Sequence, residues 1–74
     1  MRCFVLVDSL HDGDWFLNTF ENAEQACKYA EDEWGKMHSD DKARRSAYYV
    51  AEASIEDGKI VKTHKIVKTI KSWR

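Results

Sequence analysis

The chain has no proline and only three glycines among its 74 residues, so it lacks any stretch with the composition of a flexible linker. Its two cysteines can form one disulfide at most, and both stand in apolar segments, as is typical of buried free thiols. No apolar run reaches the roughly 18 residues of a membrane span, and the N-terminal apolar stretch is shorter than that of a signal peptide. We therefore expect one small domain, residues 1–74, that is soluble and cytoplasmic.

The motifs of common catalytic and metal sites are also missing. The sequence has no CxxC or HExxH pattern, no GxSxG nucleophile motif, and neither a GxGxxG nor a P-loop phosphate motif. His11 and His38 each stand near two aspartates, but without the ligand spacing of a zinc site. We expect no enzymatic activity, no metal, no cofactor and no small-molecule substrate.

Charge is distributed unevenly along the chain. Residues 1–41 carry ten acidic and three basic side chains, a charge of −7, whereas residues 42–74 carry nine basic and three acidic ones, a charge of +6. Such asymmetry indicates a charged partner. The net charge of −1 nevertheless differs from the strongly basic composition of most nucleic-acid-binding domains.

The N-terminal half reads as a β-hairpin followed by a helix. Residues 2–8 form an almost continuous apolar, β-prone run, and an Asp-Gly turn separates it from a second strand over 14–20. Asn22 is a good helix N-cap, and Gln25 completes a capping-box pattern. Apolar residues then recur at three- and four-residue steps, which predicts an amphipathic helix over about 22–37.

The C-terminal half reads as a second hairpin. Residues 38–46 are polar and could include a helical turn, after which AYYVAEASIE reads as a strand and Asp-Gly as a tight turn. The order β-β-α-β-β predicts an α+β fold of two layers, an antiparallel sheet of about four strands with one main helix on one face.

A lysine or arginine stands at every third position of the C-terminal tail, namely Lys59, Lys62, Lys65, Lys68, Lys71 and Arg74. A period of three fits neither a regular strand nor a helix, because on a regular strand alternate cations would point into the core. The tail must therefore contain a bulge, extend past the helix as an edge strand, or become partly helical. Its β-branched residues favour a strand.

A two-residue turn at Asp57-Gly58 fixes a register for this hairpin, in which the predicted pairs are Glu56 with Lys59, Ile55 with Ile60, Ala53 with Lys62, Ala51 with His64 and Tyr49 with Ile66. It places one set of side chains on a single face that the helix could cover: Tyr49, Ala51, Ala53, Ile55, Ile60 and Ile66. Tyr48 then falls on the outer face.

Two surfaces could carry the function. The aromatic content exceeds what one helix and one sheet face can hide, so exposed anchors for binding a protein, either a second copy or another partner, are expected at Trp15, Phe16, Tyr48 and Trp73. Basic residues near aromatic ones suggest weak nucleic-acid binding as the alternative, through Arg44, Arg45, Lys59, Lys65 and Lys71. The lysines could instead protect an exposed edge strand from aggregation.

The segment from Trp15 to Tyr49 carries the motif F-x-N-x-E-x-A-x-x-x-A-x-x-x-W at Phe20 to Trp34, followed by a charged loop and a tyrosine-bearing strand. In this it resembles small bacterial reading frames, some carried by phages and mobile elements, to which no activity is assigned. The resemblance covers about half of the chain. It implies a small cytoplasmic accessory protein, and a phage origin would favour an inhibitor of a host protein.

Overall fold

A computed structural model describes residues 1–72; Trp73 and Arg74 lie outside the described residues. The predicted α+β fold is confirmed: a four-stranded antiparallel sheet in the order β2-β1-β3-β4 has one main helix packed against it. The elements in chain order are β1 Arg2–Leu10, β2 Gly13–Phe20, α1 Ala23–Lys36, α2 Ser39–Arg44, β3 Arg45–Glu56 and β4 Lys59–Lys71. The short helix α2 occupies the polar segment that connects α1 to β3.

The two central strands, β1 and β3, are apolar on both faces of the sheet. Val5 and Val7 point to one face and Leu6 to the other, and all three are fully buried. Their antiparallel register pairs Leu6 with Val50 and Val5 with Ala51. Because successive side chains alternate between faces, this pairing divides the core into two clusters.

The helix face of the sheet is the one that α1 covers. Its buried strand residues are Leu6, Tyr48 and Val50, and they pack against Ala26 and Ala30 of α1. Because alanine is small, the helix can approach the sheet closely at these two positions. Trp34 and Tyr29 of α1 extend the same cluster, as does Met37, the C-cap residue of the helix.

The helix-free face carries the other cluster: Cys3, Val5, Val7, Ala47, Tyr49, Ala51 and Ala53. The prediction that the helix covers Tyr49, Ala51 and Ala53 is therefore wrong. Three of the four buried β3 side chains on the helix-free face are alanines, which present little apolar surface, whereas Tyr48 and Val50 need the cover of α1. Cys3 and Cys27 belong to opposite faces of the sheet, and both are free thiols.

Strand β4 remains a strand through Lys71 instead of becoming helical, and it does so with an irregular register. Thirteen residues of β4 lie opposite nine residues of β3, and the register shifts at four points. Each extra residue is a bulge, which inserts one position into one strand only. The first two predicted pairs, Glu56 with Lys59 and Ile55 with Ile60, are confirmed. The three predicted pairs beyond them, Ala53 with Lys62, Ala51 with His64 and Tyr49 with Ile66, are wrong.

The bulges explain how the strand accommodates a three-residue lysine period. Four lysines fall opposite even-numbered residues of β3, in the pairs Glu56–Lys59, Ser54–Lys62, Val50–Lys68 and Tyr48–Lys71. Opposite residues of paired strands point to the same face, so these lysines share the helix face. Lys68 contacts Glu31 of α1 from there, and Lys62 and Lys68 are both exposed.

The N-cap of α1 offers a direct test of how the sequence starts the helix. The Asn22 Oδ1 atom accepts a hydrogen bond of 2.8 Å from the backbone N–H of Gln25. We predict that Asn22→Ala lowers the free energy of unfolding by about 1 kcal/mol, because one helix N–H loses its acceptor. Urea denaturation measures the change. Gln25→Ala is the control, since it keeps the backbone donor and should cost less; equal losses would contradict the capping role.

Candidate interaction surfaces

The two edges of the sheet differ in composition and regularity. The β4 edge carries five lysines and four register shifts. The β2 edge has the sequence GDWFLNTF, in which Asp14 is the only charged residue, and its register with β1 shifts once. Lysines and bulges are the devices by which proteins prevent further strands from adding to an edge. The β4 edge has several lysines and several bulges, whereas the β2 edge has a single register shift and neither lysine nor proline.

Three consecutive side chains of β2 form what we call the apolar edge patch. Trp15 is 57% exposed, Phe16 47% and Leu17 41%. Trp15 lies opposite Asp8 and therefore on the helix face, whereas Phe16 lies opposite Val7 on the helix-free face. The patch thus extends around the edge onto both faces of the sheet.

The residues predicted for a protein interface are placed differently from one another. Trp15 and Phe16 are exposed on β2. Tyr48 is fully buried on the helix face, with its ring centroid 5.1 Å from that of Trp34, so the prediction that it is exposed is wrong. Trp73 lies outside the described residues. Leu17 was missed, although its place two residues after Trp15 puts the two on one face of a strand.

The residues predicted for nucleic-acid binding do not form one patch. Arg45 is held by the carboxylate of Asp8 through two contacts of 3.1 Å, and it donates to the Asp41 carbonyl at 2.8 Å. The Lys71 Nζ atom donates to the backbone carbonyl of Lys42 at 2.9 Å.

The remaining candidates, Arg44, Lys59 and Lys65, are exposed. Arg44 ends α2, next to the start of β3, whereas Lys59 pairs with Glu56 at the far end of that strand. Because β3 spans Arg45–Glu56 and rises by about 3.3 Å per residue, these two ends are ~36 Å apart.

An open groove of 290 Å³ lies beside the ion pair of the buried Asp8 with the half-buried Arg45, between β2 and the two helices. Tyr48 lines this groove, and its hydroxyl has no hydrogen-bond partner among residues 1–72. Burial raises the pKa of Tyr48 to about 12, the negative charges of Asp8 and Glu33 add to the effect, and Arg45 opposes it. The phenol is therefore neutral at physiological pH.

Tyr29, on the wall of the same groove, donates a hydrogen bond of 3.2 Å to Glu33. Its pKa is also raised, by burial first and by Glu33 second. No cluster of three or more histidine, cysteine, aspartate or glutamate side chains that could hold a metal occurs within the described part of the chain. Nor does any helix over residues 1–72 have the length and apolarity to cross a membrane.

Comparison with known proteins found no family model, no curated protein and no solved structure that matches this chain.

The raised pKa of Tyr48 predicts a specific loss of stability at alkaline pH. The folded protein holds the phenol neutral up to about pH 12, whereas in the unfolded chain it ionises near pH 10. Its contribution is therefore complete below pH 10 and is lost as the pH rises toward 12. We predict that the free energy of unfolding of Tyr48→Phe falls less steeply over this interval than that of the wild type.

Urea denaturation across the alkaline range measures both slopes, and the absorbance of tyrosinate follows the ionisation directly. Burial also raises the pKa of Tyr29 and Tyr49, so a smaller decline remains in the variant. Identical slopes for the two proteins would contradict the assignment of the shift to Tyr48.

Proposed function

We propose that this chain is a small non-enzymatic protein-interaction module that self-associates as a homodimer through the β2 side of its sheet. The observation that carries the proposal is the difference between the two edges. The sequence places lysines and bulges along β4, whereas β2 exposes the consecutive residues Trp15, Phe16 and Leu17. Large exposed apolar side chains that adjoin each other are typical of interaction sites.

The area of this patch indicates weak association. Full burial of a large apolar side chain contributes about 1.5–3 kcal/mol, and the three patch residues are already about half buried. Their further burial therefore contributes on the order of 2–4 kcal/mol per copy, before the loss of translational and rotational freedom is counted. We expect dissociation constants in the micromolar range or weaker.

A pair of matched variants tests the proposal. Phe16 on β2 and Ile66 on β4 are each 47% exposed, and both lie on the helix-free face of the sheet. We predict that Phe16→Lys shifts the protein to monomer, because a charge must then be buried at the contact, whereas Ile66→Lys leaves the dimer unchanged. Sedimentation velocity over a range of protein concentrations measures the two masses, and circular dichroism verifies that both variants are folded.

A wild-type protein that stays monomeric at every concentration would refute the homodimer. Equal dissociation by both lysine variants would also contradict the role of β2, since Ile66 lies on the opposite edge of the sheet.

Weak nucleic-acid binding along β4 is the second candidate, and one observation favours it. The bulges bring Lys59, Lys62, Lys68 and Lys71 onto one side of an exposed edge strand. Two of these cations already have partners, because Lys68 contacts Glu31 and Lys71 contacts the Lys42 carbonyl. With Lys65 included, about three lysines remain to meet phosphates.

Salt dependence tests this second candidate. Each phosphate contact to duplex DNA changes the slope of log affinity against log salt by about −0.9, so three contacts predict a slope near −3. Fluorescence anisotropy with a labelled duplex measures it. Lys62→Gln should make the slope shallower by about 0.9, which is the contribution of one phosphate contact. Lys28→Gln removes an exposed lysine of α1 and is the control, so its slope should match that of the wild type. Absence of binding at low salt would exclude this function.

A further inference from the structure

We propose that β2 pairs antiparallel with β2 of a second copy about a twofold axis at Phe16, which joins the two sheets into one continuous sheet of eight strands. This inference rests on the proposed function, since it specifies how the homodimer forms. The two copies meet through backbone hydrogen bonds between their β2 strands, not through packing of one sheet face on another.

The backbone of β2 is available for such pairing. Within the described residues β1 is the only strand paired with β2, so the backbone N–H and C=O groups on the other side of β2 have no strand opposite them. The side chains of Asp12 to Thr19 are all exposed, which leaves this edge accessible along nearly its whole length. Strand addition to an open edge satisfies these groups and is a recurrent mode of recognition.

One register pairs the three residues of the apolar edge patch only with one another. A twofold axis perpendicular to the sheet keeps each face on its own side, so each residue of the apolar edge patch must pair with a residue of the same face. With Phe16 on the axis, Trp15 lies opposite Leu17 of the second copy, and both are on the helix face. Phe16 lies opposite itself on the helix-free face. Moving the axis to Leu17 would pair Trp15 with Thr19, which lies opposite Val5 on the other face.

Electrostatics permits two copies to meet in this way. Asp14 is the only charge on β2, and the residue nearest to it on the second copy would be the uncharged Asn18, which the register shift of β2 turns to the helix face. The two Asp14 carboxylates would be four residues apart, about 13 Å along the strand, which exceeds the screening length of about 8 Å at physiological salt. The net charge of −1 adds little repulsion between whole molecules.

The equivalent pairing through β4 is unfavourable. Two such edges would bring two rows of lysines together, and the four register shifts disturb the regular spacing of backbone groups that a new strand needs. The dimer should therefore be closed, with β4 at both outer edges of the combined sheet, so that it does not extend into a fibre.

Cysteine cross-linking tests the register. Residues directly opposite in antiparallel strands have Cβ atoms about 4.5–5.5 Å apart, close to the separation that a disulfide requires. We expect Phe16→Cys to form a covalent dimer when treated with diamide, whereas Ile66→Cys, equally exposed on β4, does not. Wild-type protein is the baseline, because it retains the buried Cys3 and the half-buried Cys27.

A mixture of two variants tests the pairing while keeping Phe16. Trp15→Cys mixed with Leu17→Cys should give mainly the mixed covalent dimer, since residues 15 and 17 face each other and neither faces itself. Peptide mass analysis identifies the linked cysteines. If the protein is a dimer in solution but the mixture gives no more covalent dimer than either variant alone, the proposed β2 register is wrong. The homodimer itself would still hold in that case. A strict monomer would overturn both.

Discussion

The antiparallel pairing of β1 with β3 is the constraint on which the rest of the structure depends. Both strands are apolar on both faces, so they are buried only in the centre of a sheet, with a further strand beyond each of them. β2 and β4 are thereby assigned to the two edges. The surfaces that this small domain offers to other molecules are consequently set by the composition of its edge strands.

Both edge strands leave backbone N–H and C=O groups without a strand opposite them, but only β4 carries features that protect such an edge. β4 carries a lysine at every third residue together with bulges, which bring the cations to one side and interrupt the pattern of backbone groups. β2 keeps an edge with one charge and one register shift, and it exposes Trp15, Phe16 and Leu17. An unprotected edge is an aggregation hazard unless it has a regular partner. This contrast is the physical basis for proposing that β2 is the contact surface.

The packing of α1 on the helix face also decides which polar residues are available for function. Tyr48 is enclosed against Trp34 and belongs to the interior, and the half-buried Arg45 is held in an ion pair with Asp8. Lys68 and Lys71 are likewise engaged by groups on the helices. The contacts available to a nucleic acid are reduced accordingly, whereas the apolar edge patch remains accessible.

The sequence by itself determined the elements of this protein, because their signals are local. The cap at Asn22, the helical spacing of Ala26 and Ala30, and the turns at His11-Asp12 and Asp57-Gly58 each act over a few residues, and the first pairs after the second turn followed from its length. Only the tertiary structure decided which face of β3 the helix covers. Tyr48 and Val50 alternate with Tyr49 and Ala51, so both faces are apolar and the period of two cannot distinguish them. The choice depends on how much side-chain surface each face must bury, and the bulge positions depend on keeping the lysines out of the core, so neither follows from local pattern alone.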